Sequence, residues 1–246
     1  MRVAVRRGLA LLILAAATAL GHALYTGALV VPERFNPWAP LNVMAEPNFL
    51  TGYKLSRSRA DPERCLAALA RTGMAYEPVP DRSTGVGCGF THAVRLRDAG
   101  LRIGAPLTLS CPMALSFFMW EKHALQPAAQ RHFGQRITGL QHFGSYACRN
   151  INTGEGSAPG AGDRPRSRSR HATADALDIA GFTLQNGRRI TVLQDWKDAG
   201  TDAEARMLGE AHDGACRFFT GVLGPAYNAV HRDHFHLETG GYSMCR

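Results

Sequence analysis

Three histidines fall within six residues in His231-Arg-Asp-His234-Phe-His236. Far upstream, His171 and Asp178 are separated by six residues in His171-Ala-Thr-Ala-Asp-Ala-Leu-Asp178. Imidazole nitrogen and carboxylate oxygen are standard zinc ligands, and a catalytic zinc takes three protein ligands and keeps one position for water. Together the two segments hold enough donors for one such ion. His231 or Asp233 would supply the general base beside it.

The flanking pattern says what must hold these groups. Residues 176–184 and 188–194 read as two strands, joined by the hairpin signal Asn186-Gly187. Alternation along the first strand puts Asp178 on one face with Ala176 and Ala180, and turns Leu177 and Ile179 into the core. Small alanines beside Asp178 leave room for a cavity, and His171 lies in the turn entering the strand. A last short strand at 234–238 places His234 and His236 on one face and Phe235 in the core. Spacing, taken together with the family resemblance given below, points to His171, Asp178 and one of the two strand histidines as ligands.

Elsewhere, helices are expected at 61–72, capped by Asp61 with Pro62 in the first turn, and at 112–124. A shorter helix is expected after Pro127, up to residue 132. The longest is expected at 202–222, ended by Gly224-Pro225. Strand character appears at 91–101 and 137–143. Residues 150–170 read as a surface loop rich in Gly, Ser, Pro and Arg. Separate helices with antiparallel hairpins predict an α+β fold: a small antiparallel sheet carrying the zinc site, with helices packed on it.

The chain has 246 residues, 45% hydrophobic and 20% charged, with a formal net charge of +8. That suits one medium domain with accessory segments. The arginine run Arg164, Arg166, Arg168, Arg170 reads as a solvated surface, with a rim guiding an anionic substrate as the functional alternative. No basic face interleaved with aromatics is present, so no nucleic-acid partner is expected.

Cys65, Cys88, Cys111, Cys148, Cys216 and Cys245 are dispersed and form no C-x-x-C pair, which fits disulfides in an oxidising compartment. Proximity of the expected elements predicts Cys111–Cys148 and Cys216–Cys245, leaving Cys65–Cys88. Residues 1–7 are basic and 8–31 almost wholly apolar. This run outlasts a typical signal-peptide core of about 7–15 residues. An uncleaved anchor at 1–31 is expected over a cleaved signal peptide, with arginines keeping the N-terminus cytoplasmic. A proline-rich linker at 32–60 and one domain at 61–246 follow.

The phrases Gly144-Ser-Tyr-Ala-Cys148-Arg149, His171-Ala-Thr-Ala-Asp-Ala-Leu-Asp178-Ile-Ala-Gly-Phe182, Leu223-Gly-Pro-Ala-Tyr-Asn228 and His231-Arg-Asp-His234-Phe-His236 resemble the bacterial extensin-like C-terminal domain family. The spaced set Ser169, His171, Asp178 and His236 also resembles the lysostaphin, D-Ala-D-Ala metallopeptidase and Hedgehog group of zinc peptidases. That resemblance implies one Zn²⁺ held by His171, Asp178 and His236. His234 becomes a non-ligand facing the reacting carbonyl or the water, Ser169 a supporting group, and Arg149 a substrate contact. Asp233 stands where some members carry a Glu base. His231, His234 and His236 reproduce the His-x-x-His-x-His of penicillin-insensitive murein endopeptidases. Ala174 departs from a position where the broader group often has Gly. The implied partners are the peptides of peptidoglycan. The implied location is the inner membrane, single-pass, with the domain in the periplasm. A non-catalytic, zinc-stabilised cell-wall-binding domain is the competing expectation.

Overall fold

A computed structural model of the protein describes residues 2–152, 167–197 and 202–246. Its chain forms two compact units, Met1–Ala39 and Pro40–Arg246. The first contains helix α1 (Arg2–Tyr25). Within it Val5–Tyr25 has a mean hydropathy of 1.8, long and apolar enough to cross a membrane.

The second unit opens with α2 (Thr51–Arg59) and α3 (Pro62–Leu69), then strands β1 (Ala75–Val79), β2 (Arg82–Gly85), β3 (Cys88–Phe90), β4 (Ala93–Asp98) and β5 (Arg102–Ser110). Helix α4 (Cys111–Trp120) runs through a π-helical turn, Glu121–Leu125, into α5 (Gln126–Phe133). Then come β6 (Ile137–Gly144), a 3₁₀ turn at Arg170–Thr173, β7 (Ala176–Leu184), β8 (Arg189–Thr191), α6 (Val192–Asp195) and α7 (Ala203–Ala215). The chain closes with β9 (Gly221–Leu223), a 3₁₀ turn at Ala229–His231, β10 (Phe235–Glu238) and β11 (Met244–Cys245).

The main sheet runs β1-β4-β5-β6-β7-β10-β9-β11, with β8 added to β7, and β2–β3 form a separate hairpin. Pairing is antiparallel except at β5–β6 and β9–β11. The α+β expectation therefore holds, with a larger sheet than the sequence suggested. Apolar faces of the sheet and of α4 meet around fully buried Trp120, Phe117, Phe182, Phe218 and Phe235. The Trp120 indole N–H donates to the Ala211 carbonyl at 2.8 Å, which ties α7 to this core. Gly181 sets the β7–β8 approach, because a Cβ there would lie 2.4 Å from the Ile190 carbonyl oxygen.

Local signals held where chemistry was local. Asp61 Oδ1 accepts from the Glu63 and Arg64 amides, with Pro62 in the first turn of α3. Gly187 takes φ +87° in the β7–β8 hairpin.

Four expectations are corrected. The stretch read as a linker is partly built into the domain: Leu41, Val43 and Leu55 are buried in the core, and the Arg59 guanidinium donates to the Phe218 carbonyl. The strand expected at 188–194 stops at Thr191, whose hydroxyl caps α6 by accepting from the Gln194 amide. The helix expected at 202–222 ends at Ala215, because Gly221–Leu223 pairs with β10 as β9; α1, at 24 residues, is longer. Two disulfides differ from the expected pairing: Cys65 joins Cys111 and Cys88 joins Cys148, while Cys216–Cys245 forms as expected. Cys111 begins α4, where α3 packs against it, whereas Cys148 leaves β6 toward the β2–β3 hairpin. Arg164, Arg166 and most of the expected loop lie outside the described residues.

Candidate metal centre

Strands β7 and β10 pair antiparallel with His236 directly opposite Asp178. That register puts both side chains on one face at a single position. The 3₁₀ turn just before β7 brings in His171, and the Ser169 hydroxyl caps this turn by accepting from the His171 amide. Ala174 ends the turn at φ +58°, a left-handed conformation that favours glycine.

His171 Nε2 lies 3.1 Å from Asp178 Oδ2 and 3.2 Å from His236 Nδ1, and His236 Nδ1 lies 2.8 Å from Asp178 Oδ1. Ligands ~2.1 Å from a tetrahedral centre are about 3.4 Å from one another, so the trio needs only a small expansion to close around one zinc-sized ion. The outer nitrogens are already committed. His171 Nδ1 donates to the Ser145 carbonyl at 2.7 Å, and His236 Nε2 donates to Glu238 Oε2 at 3.0 Å. Each neutral ring therefore turns its lone pair toward the Asp178 carboxylate. Three acceptors then face one point, and only a cation there relieves the repulsion. Outer partners of this kind are what orient metal-bound histidines.

A proton on His236 Nδ1 is one such cation. Burial lowers the His236 pKa, but hydrogen bonds to Asp178 and Glu238 outweigh it and raise the pKa to about 9. Burial pushes the Asp178 carboxyl up, and the His171 and His236 contacts overcome this, holding it well below the usual carboxylate range.

The remaining candidates surround the trio. His234 Nδ1 donates to Asp233 Oδ1 at 2.9 Å, which turns His234 Nε2 inward, 3.6 Å from Asp178 Oδ1. Asp233 thus orients His234. His231 Nδ1 donates to Asn228 Oδ1 at 2.7 Å, so its Nε2 carries the lone pair, and its ring lies 5.8 Å from that of His236. Burial, followed by the nearby His236 and His234, lowers its pKa to about 4. Arg149 Nη2 reaches to 3.9 Å from Asp178 Oδ2. All of these groups open on a cleft of ≈ 880 Å³ whose wall includes Phe143, Tyr227 and Tyr242.

A family model described as extensin-like protein C-terminus matches residues 63–246. The chain belongs to this extensin-like family. No curated protein and no solved structure matches it.

Two supporting groups of this extensin-like domain escaped the sequence reading. Glu238 lies two residues beyond His236, and alternation along one strand could have placed it on the same face. Asn228 caps the Ala229–His231 turn through the Val230 amide and also fixes the His231 ring; only the cap is legible from sequence. The Ser145 carbonyl is a backbone group and leaves no side-chain signal.

Proposed function

We propose that this chain is a zinc-dependent peptidase acting on the peptide part of peptidoglycan, anchored by α1 with its domain in the periplasm. His171 Nε2, Asp178 and His236 Nδ1 would hold the ion. The observation that carries this reading is the convergence of three lone pairs, from two imidazoles and a carboxylate, with a third imidazole, His231, presenting an unprotonated Nε2 beside them. A bound zinc supplies Lewis acidity, lowering the pKa of a water and polarising a peptide carbonyl. His231 Nε2 takes a proton from the attacking water and passes it to the leaving amine. Asn228 holds the ring in the tautomer that this transfer needs. His234, held by Asp233 through Nδ1, would in its protonated form donate from Nε2–H to the reacting carbonyl oxygen. The Arg149 guanidinium offers further positive charge for substrate on the Asp178 side of the cleft.

One observation favours a non-catalytic zinc-containing, wall-binding domain instead. Asp233 and Glu238 are both engaged by histidines, so neither stands ready as a carboxylate base. The test uses the full chain in detergent micelles, loaded with zinc. Release of new amino groups from purified peptidoglycan should be abolished by a chelator. His231→Gln should keep its zinc and lose roughly 10²–10⁴ in rate. Absence of chelator-sensitive release by the folded, zinc-loaded chain would select the binding-domain reading.

A further inference from the structure

We propose that Arg170 determines the specificity of this cleft by binding a carboxylate of the peptide held there. The proposal rests on the peptide-site reading above and adds the substrate's charged group. Arg170 immediately precedes His171 in the 3₁₀ turn, lines the same cleft and is half-buried.

Its guanidinium has a shaped seat. Gly240 and Gly241 adopt φ +76° and +79° and pass directly against it. A Cβ on Gly241 would stand 3.2 Å from both Arg170 Nε and Nη2, and one on Gly240 would stand 3.3 Å from Nη1. Two consecutive left-handed residues without side chains are what this close approach requires.

The seat holds the guanidinium but does not neutralise it. Among the described residues no hydrogen bond or ion pair reaches the Arg170 side chain. Asp178 is engaged by His171 and His236, Asp233 by His234, and Glu238 Oε2 by His236. Glu238 Oε1 faces the same glycine seat, 3.2 Å from where a Gly241 Cβ would stand, but among the described residues it makes no ion pair with Arg170. Arg168, at the same rim, is held by neutral oxygens, the Val86 carbonyl at 3.0 Å and Asn150 Oδ1 at 2.9 Å. The Arg170 donors are therefore left without a hydrogen-bonded internal acceptor, and a half-buried guanidinium is stabilised by an acceptor that supplies those bonds. The fork of Arg170 matches a carboxylate held through two parallel hydrogen bonds. In a peptide that carboxylate is either the free C-terminus or an acidic side chain near the bound residues.

Calorimetric titration of the zinc-loaded full chain in detergent tests this with three probes. They are N-acetyl-alanyl-alanine, its C-terminal amide, and N-acetyl-alanyl-glutamyl-alanine amide. At least one acid probe should bind about ten-fold or more tightly than the uncharged amide. The probe that does so identifies the source, C-terminus or side chain. Arg170→Gln should bring the ratio to about one with zinc content unchanged. Arg170→Lys, which keeps the charge but not the fork, should retain part of it. Gly241→Ala, read with its zinc content because its Cβ would also stand 3.2 Å from Glu238 Oε1, should lower the ratio without altering charge, which guards against a folding defect peculiar to the arginine variant. Equal binding of acids and amide by the unaltered chain, or a ratio preserved in Arg170→Gln, overturns the proposal. A chain that discriminates through Arg170 yet never hydrolyses peptidoglycan sinks only the peptidase reading. One that hydrolyses with a ratio indifferent to Arg170 sinks only this proposal.

Discussion

Among the described residues two clusters bring three potential metal donors within 4.8 Å of one another: His171, Asp178 and His236 in one, and His212, Cys216 and Cys245 in the other. By residue type alone the cysteine-containing cluster would be the better zinc site, since thiolates are strong zinc ligands. Its donors are already spent. Both sulfurs form the Cys216–Cys245 disulfide, and both His212 nitrogens have partners, Asp213 Oδ1 at 3.2 Å and the Arg246 carbonyl at 3.1 Å. In the His171 cluster the partners lie on the outer nitrogens, so the inner lone pairs stay directed at one another. A site is defined by where its lone pairs point after every other bond is counted.

The largest effect should come from the ligands themselves. His236→Ala and Asp178→Asn should each reduce bound zinc from one per chain to near zero at micromolar metal, because two ligands hold zinc weakly. His212→Ala should keep one zinc per chain. Atomic-absorption analysis of the purified full-length variants reads both. A metal content that followed His212 would reverse the comparison.

These clusters also show what the sequence could disclose. Strand alternation and the Asn186-Gly187 turn fixed the face of Asp178 from local spacing, and put His234 and His236 together on one face, while the choice of His236 came from the family resemblance. The disulfides were only partly legible, since pairing depends on which distant elements meet. Helix α2, Thr-Gly-Tyr-Lys-Leu-Ser-Arg-Ser-Arg, has a single strongly apolar anchor, Leu55, and showed no helical period. Strand β5 carries Gly104 and Pro106, which argue against a strand, yet its Leu107 and Leu109 are buried in the sheet. The apolar run after Ala215 has a helical pattern, and only the need of β10 for a neighbour makes it a strand. The local geometry of the site was therefore accessible, whereas the long-range packing around it was not.

A middle-sized effect follows from pH. The metal-free His236 pKa is raised to about 9 by Asp178 and Glu238 against burial. Its proton stabilises the metal-free fold below the unfolded value of about 6.5, and that contribution, on the order of 3 kcal/mol, is lost as pH rises through 9. Zinc binding has the opposite sign, because the ion must displace the proton. Affinity should therefore climb about ten-fold per pH unit from pH 7 to 9, roughly a hundred-fold overall, and then level off. Competition with a chromophoric chelator calibrated at each pH measures the slope. A flat profile across that window would mean that no proton occupies the metal position.

The smallest effect on zinc, and the strongest contrast with the ligand variants, is expected at the disulfide cluster. The Cys216–Cys245 bridge spans a sequence separation of 29 residues and ties the end of α7 to the C-terminal strand β11. Strand β11 pairs with β9, which pairs with β10, so the bridge supports the strand that carries His236 from two strands away. Constraining a loop of that length stabilises a fold by about 2–4 kcal/mol. The double variant Cys216→Ala/Cys245→Ala should lower the denaturation midpoint accordingly. Below that midpoint it should still bind one zinc, with affinity within about two-fold, because the β7–β10 register that opposes His236 to Asp178 is made by other bonds. Zinc loss in a double variant that keeps native circular dichroism would mean that the disulfide cluster holds the metal cluster in shape and is not merely a set of spent donors.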